Sequence, residues 1–287
     1  MTIAITGASG PLGRATAEYV LQTTDPREVV LTTRRPEALA DLAARGVQVR
    51  RADFAEPASL DTAFAGVERL VLISTDVVGA RLDGHRAAVK AATAAGVRHV
   101  IYTSVPEPVP ENPALVVADH AGTEQALRDS GMSWTFLRNN LYAHMQTARI
   151  QQAIASGRLV SNGGDGAVAY VTREDCAAAA AAVLTKGGHE GQAYDITGPE
   201  ALTAADLVAL AREIGGKDVE LVEVDDAAYA AGLRAAGVPE EAARVVASFG
   251  AATRGGFLAT VTSAVFDITG RKPTALADVV RTALKGS

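Results

Sequence analysis

One cysteine, Cys176, stands in 287 residues. A single thiol closes no disulfide and builds no cysteine metal cluster within the chain, which fits a reducing cytoplasm. Lysine is scarce as well, five residues among 27 basic ones. With abundant alanine, this reads as genomic composition bias rather than as an arginine-built site. No apolar run reaches the length of a membrane span. No basic, apolar leader precedes Ile3, so neither a membrane helix nor a secretory signal is expected. The five histidines show no metal-ligand spacing, and no metal is expected. Repeats and charged tails are absent. The net charge of −6 argues against a nucleic-acid surface and favours simple solubility.

What the chain does have is apolar residues for a large core, 48% of its length, and one concentrated stretch near its start. Ile3 to Thr6 is a short β-branched run that reads as a buried strand. Gly7, Gly10 and Gly13 follow it, and helix-forming residues run from Ala15 to Gln22. Strand, glycine turn and helix form the phosphate-cradling unit of a dinucleotide fold. The backbone must turn sharply and lie against a pyrophosphate, which a side chain would hold off. The helix N-terminus then offers free N–H groups to the anion.

Val29 to Thr33 reads as the second strand, whose tip faces the adenosine ribose in such a fold. An acidic residue there would hold both ribose hydroxyls and favour NAD. Thr33 takes that place, and Arg34 and Arg35 follow. A guanidinium pairs with a 2′-phosphate through two parallel bonds, so NADP is the favoured cofactor. If the two arginines are only solvated loop charges, NAD binds as well. Asp53 and Phe54 follow the third strand, Val47 to Ala52, where such a pair can cap a loop and lie against an adenine ring. Arg69 to Thr75 is nearly continuously apolar, like a central parallel strand buried on both faces. Its end, Ser74 and Thr75, should face the cofactor crevice, and so should Thr103 and Ser104 at the end of the fifth strand. A proline-bearing loop, 105–115, suits the wall of a cleft. The sixth strand, Ser133 to Arg138, completes a doubly wound parallel α/β sheet. The expected division is a dinucleotide-binding unit over 1–155, to which about 167–198 return, and a smaller substrate-binding lobe over 156–287. In that half, Phe249 to Ala264 reads as irregular.

The Gly7-x-x-Gly10-x-x-Gly13 opening, Arg34, the Leu70–Ser74 strand and Thr103-Ser104 resemble the NmrA-like atypical short-chain dehydrogenases. So do Leu137-Arg138-Asn139-Asn140-x-Tyr142, the Gly163–Gly166 turn and Thr172-Arg173-Glu174-Asp175. Within that group the likeness is nearest to the NADPH-dependent quinone oxidoreductases, and it runs nearly end to end. The resemblance implies a Rossmann-type fold, a nicotinamide cofactor and a small C-terminal lobe over a substrate cleft. Asn139, Asn140 and Tyr142 would then lie where cofactor and substrate meet, Asn139 on the cofactor and the other two on the substrate. The cofactor would be held by Gly7, Ser9, Gly10, Leu12, Gly13, Arg34, Asp53, Phe54, Ser74, Thr75, Thr103 and Asn139.

Ordinary short-chain dehydrogenases carry Tyr-x-x-x-Lys in the helix after the fifth strand. Here that helix reads Asp119-His120-Ala121-Gly122-Thr123-Glu124, with neither residue. His120 is the candidate acid, since imidazole titrates near neutrality; the alternative is a surface histidine paired with Glu124, four residues on. The missing pair has a chemical meaning. Hydride delivery to a quinone leaves a phenolate-type oxygen of pKa roughly 10, which water protonates. An ordinary ketone leaves a far more basic alkoxide that needs a positioned acid. The expected activity is therefore hydride transfer from NAD(P)H to a quinone or quinone-like polycyclic aromatic compound. A dinucleotide-binding redox sensor and a tailoring enzyme acting on an aromatic polyketide are the alternatives. Cys176 and Trp134 read as packed, Tyr102 as structural and Asp175 as a helix cap. A homodimer stays open, because oligomeric state has no motif here.

Overall fold

The computed structural model describes residues 1–75 and 81–285. In chain order the elements are β1 (Ile3–Ile5), α1 (Pro11–Val20), β2 (Val29–Thr33), α2 (Ala40–Ala43), β3 (Gln48–Arg51), α3 (Pro57–Phe64), β4 (Arg69–Leu72) and α4 (Arg81–Ala94). Next come β5 (His99–Ser104), α5 (Val117–Asp129), β6 (Ser133–Asn139), α6 (His144–Ser156), β7 (Arg158–Ser161), β8 (Ala167–Val168), α7 (Arg173–Thr185) and β9 (Gln192–Ile196). Then follow β10 (Leu202–Thr203), α8 (Ala204–Gly215), β11 (Glu220–Glu223), α9 (Asp226–Ala235), α10 (Glu240–Arg254), α11 (Ala264–Thr269) and α12 (Leu276–Lys285).

Seven strands form one sheet in the order β3-β2-β1-β4-β5-β6-β9, and every pairing is parallel. This is the doubly wound, Rossmann-type α/β sheet. β1, β2, β4 and β5 are buried along their whole length. That is why their middles read as apolar runs, with polar residues at the ends of β2, β4 and β5: helices cover both faces. One face packs on α1 and the alanine-rich α7, the other on α3, α4 and α5. α7 is buried on nearly every side from Asp175 to Leu184. Alanine is the side chain that lets a helix lie that close to its neighbours, and a helix buried all round has no polar stripe to display. Thr172 caps it by accepting from the Asp175 N–H. Asp175, expected as the cap, is instead the third helical residue, and its carboxylate accepts from the Thr172 hydroxyl and the Thr274 N–H.

A third apolar cluster joins the 114–117 loop to α6, α8, α10 and α12 beyond the strand ends. Two boundaries differ from expectation there. α10 continues through Phe249 to Arg254, where an irregular stretch was expected. β7, which alternates exposed and buried residues and pairs in parallel with β11, carries too short a pattern to be read beforehand.

Candidate active site

The strand order reverses between β1 and β4. Such a reversal opens a crevice at the carboxyl ends of the strands. A cavity of about 490 Å³ occupies it, running from Leu12 past Ser74, Thr75, Thr103 and Asn139 to α10 of the outer cluster.

The glycine turn forms one end. Gly7 has φ +59°, a left-handed conformation that favours glycine. A Cβ on Gly13 would collide with the Gly7 carbonyl and the Ala8 backbone, so α1 can approach β1 this closely only through glycine. Gly10 caps α1 without a side chain, and Pro11 starts it. Pro11 has no N–H to satisfy at the first helical position, where the backbone offers no intrahelical acceptor. Ser9 Oγ lies 2.7 Å from Thr33 Oγ1, fastening the turn to the tip of β2. Beyond that tip Arg34 and Arg35 are exposed. Among the described residues neither guanidinium has a hydrogen-bond or ion-pair partner. The neighbouring arginines all have one: Arg14 with Asp41, Arg27 with Asp25, Arg45 with Glu18 and Arg51 with Glu56. An unpaired double cation beside the ribose end suits an added phosphate. Asp53 takes the Ala55 N–H on its carboxylate, and half-buried Phe54 packs edge-on against His85 with ring centroids 6.0 Å apart.

Hydroxyls stitch the strand ends together. The Thr6 hydroxyl accepts from the Ile73 N–H, and Thr103 Oγ1 accepts from the Ser74 N–H, both at 2.9 Å. Asn139 is buried, and its Oδ1 has no partner. An orphaned buried carbonyl oxygen is costly unless a donor arrives, and a carboxamide is a suitable donor. The glycine cradle, the unpaired arginines and this oxygen together fit a dinucleotide.

Asn140 and Tyr142 both line the cavity. Asn140 spends its amide on structure, donating to the Leu258 carbonyl at 2.9 Å and accepting from the Leu141 N–H. Tyr142 packs against His144, with ring centroids 5.6 Å apart, and against the Arg173 guanidinium, which is bonded to that histidine, and burial pushes its phenol up.

His120 also lines the cavity, but the expected pairing with Glu124 does not occur. Both residues are buried. Glu124 is held by both Arg138 and Arg128 and by the Ser104 hydroxyl. His120 instead takes Arg81 Nη1 on its Nε2 at 3.1 Å and gives its Nδ1–H to the Tyr102 oxygen at 2.9 Å. Burial first, then the Arg81 and His85 neighbours, hold it well below the ordinary histidine range. It is a neutral imidazole with both nitrogens engaged, not a poised acid.

The residues around it were not anticipated. Arg81 opens α4, pairs with Asp119 (Nε to Oδ2, 3.4 Å) and donates to Ser74 Oγ at 3.2 Å. His85, one turn on, accepts from the Thr75 N–H and donates to Thr123, whose hydroxyl passes to the Asp119 carbonyl. Burial and Arg81 lower His85 to about 4. The only sequence signal was an arginine and a histidine four apart on a helix.

The roof comes from α9 and α10. Tyr229, Val245, Val246, Phe249, Gly250 and Thr253 face the cavity. The Asn162 amide donates to Asp226 and to the Ala247 carbonyl, and Arg254 grips the Asp226 carboxylate with two bonds. A Cβ on Gly250 would run into that Asn162 amide. Among the described residues no helix is long and apolar enough to cross a membrane. No group of three or more His, Cys, Asp or Glu among them could hold a metal. Cys176 is buried against the sheet and its thiol is pushed well up, so it is packing.

A family model described as NAD(P)H-binding matches residues 7–187. The chain is 37% identical to quinone oxidoreductase 2 of Escherichia coli over 97% of both chains. The crystal structure of the NADPH-dependent quinone oxidoreductase of Escherichia coli in complex with NADPH superposes with a TM-score of 0.95. That match is 36% identical and covers 99% of this chain and 100% of the other. The triphenylmethane reductase of Citrobacter sp. complexed with NADP(H) superposes at 0.91, 33% identical, with the same coverage.

Proposed function

Since the chain belongs to the NAD(P)H-binding family, we propose that it is an NADPH-dependent reductase of quinones and quinone-like polycyclic aromatic compounds. The single observation that carries this reading is the composition of the cavity. It begins at the glycine turn and is walled largely by apolar side chains, and among the described residues that line it there is no aspartate, glutamate or lysine and no Tyr-x-x-x-Lys pair. Its one histidine is neutral and doubly engaged. The relatives named for quinone and triphenylmethane substrates support the same class.

When bound, the nicotinamide supplies the hydride. Gly7, Ser9, Gly10, Leu12 and Gly13 hold the pyrophosphate against the start of α1. Arg34 takes the 2′-phosphate. Asp53 and Phe54 border the adenine. Ser74, Thr75, Thr103 and Asn139 fix the nicotinamide end, with Asn139 Oδ1 accepting from its carboxamide. Asn140 holds the wall through Leu258 while Tyr142 presents its face to the flat acceptor. Residues 1–155, with 167–198 returning, form the cofactor unit, and 156–287 mainly the acceptor lobe. The protein's contribution is the alignment of two ring planes in a largely apolar cavity, and water protonates the product oxygen outside the transfer step.

The test is oxidation of NADPH and NADH by the purified protein across simple and polycyclic quinones, with cofactor titrated on the same sample. The expected result is turnover with NADPH on quinones and none on isolated ketones. Tight cofactor binding with no turnover on any acceptor would replace this reading with the redox sensor.

A further inference from the structure

Among the described residues that line the cavity, Arg81 is the one carrying a full charge. It is 7% exposed, at the first turn of α4. A guanidinium buried there needs reasons to stay. Two are visible. Asp119 offsets its charge from the Nε side at 3.4 Å, and His120 accepts from Nη1 at 3.1 Å. His120 is fixed in turn by Tyr102, and Asp119's helix by the His85–Thr123 bonds. The whole assembly turns Nη1 toward Ser74 at the end of β4, beside Thr103.

We propose that Arg81 is a catalytic residue that stabilises the negative charge formed on the acceptor's carbonyl oxygen, and that His120 is a positioning residue that aims it. This rests on the reading of the cavity as the place of hydride transfer. In that step the C–H bond of the reduced nicotinamide breaks with its electron pair, and a bond forms from that hydrogen to the acceptor. The acceptor gains two electrons, the cofactor is oxidised, and one acceptor oxygen is left anionic until it takes a proton from water. The Arg81–Ser74 bond is 3.2 Å long and ends on a neutral hydroxyl. A guanidinium bond to an anionic oxygen adds the attraction of two full charges to the bond it makes with a neutral hydroxyl, so the product oxygen displaces the serine. Between largely apolar walls the attraction also acts through space. The arrangement selects aromatic acceptors bearing an oxygen that becomes a phenolate, and it explains how the site dispenses with an acid: it lowers the basicity of the product instead of protonating it.

The test uses 4-nitrophenol, an aromatic phenol whose anion is coloured, bound to the protein saturated with NADP⁺. The readout is the absorbance of the bound probe against pH, with no turnover. The probe's ionisation midpoint on the wild-type protein should lie at least one pH unit below its value in buffer, a tenfold or greater gain in the ratio of phenolate to phenol. Arg81→Lys should keep part of the shift. The double variant Arg81→Met with Asp119→Asn, which leaves no unpaired buried carboxylate, should abolish it while still binding NADP⁺. An unshifted midpoint on the wild-type protein, an unchanged shift in the double variant, or failure of the probe to bind the NADP⁺-loaded protein would each overturn the proposal. Failure of the wild-type protein to bind NADPH would overturn the underlying functional reading itself.

Discussion

Arg81 Nη1 and His120 Nε2 meet at 3.1 Å in the wall of the cavity, with the cation donating and the imidazole accepting. A proton cannot occupy that nitrogen while the arginine does. The rate of reduction should therefore show no limb from His120 between pH 5 and 8. His120→Gln, whose amide oxygen can still accept from Arg81, should lower kcat by about three- to tenfold, on the scale of one hydrogen bond, and leave the shape of the profile unchanged. A limb near pH 6.5 that vanishes in this variant would restore the general-acid role.

His85 makes a second pH prediction, about stability. Its pKa falls from 6.5 to about 4 on folding. Between these values the unfolded chain binds a proton that the folded one refuses. Stability is thus full above pH 6.5 and is lost as the pH falls toward 4, by at most about 1.4 kcal/mol per pH unit. His99, also lowered to about 4 by burial and Arg69, adds in the same direction. Thermal unfolding followed from pH 7 to pH 4 should show the decline, and His85→Gln should flatten part of it. A midpoint independent of pH in this range would contradict the buried neutral state.

Arg34 should discriminate between the cofactors. Replacing it with Ala removes a charge-assisted pairing worth about 1.5–3 kcal/mol, so NADPH should bind about 10- to 100-fold more weakly. NADH should change less than threefold. Titration of both cofactors on the same variant decides it, and equal losses would remove the 2′-phosphate role.

The two later glycines of the turn should separate folding from binding. A Cβ at Gly10 meets only the Gly7 carbonyl oxygen, at 3.2 Å, whereas at Gly13 it strikes the backbone of both Gly7 and Ala8. Gly10→Val should fold and fail to bind cofactor. Gly13→Val should also lower the thermal midpoint sharply, because α1 must move off β1. Normal affinity in the Gly10 variant would misplace the phosphate site.

These sites were not equally legible beforehand. The parallel strands and the glycine turn could be read because their causes are local: burial on both faces demands apolar runs, and a close backbone approach demands Gly13. The spacing of His120 and Glu124 put both on one helix face, yet each found a different partner. Arg81 lies 39 residues from His120, and Arg138 lies 14 from Glu124. Only the stacked order of β4, β5 and β6 brings those partners in. Phe249 to Arg254 reads as irregular from the sequence because the Gly255-Gly256 pair suggests a break. Gly250 instead lies within α10, and it is glycine there because the Asn162 amide fills the space a side chain would need.

That contact makes a prediction of its own. Gly250→Val should push Asn162 aside and loosen its bonds to Asp226 and Ala247. The acceptor KM should rise severalfold while NADPH affinity stays within twofold, since no cofactor contact is proposed for the roof. A loss of cofactor binding equal to the loss of acceptor binding would show that roof and floor are not separable.

The roof that α9 and α10 form is contiguous in the chain, from Asp226 to Arg254, whereas the floor is assembled from strand ends scattered over more than a hundred residues. One wall of the cavity is therefore carried by a single short passage of the chain. Exchanging that passage between relatives, with Asn162 kept as its clip, should shift acceptor preference and leave the cofactor floor as it stands.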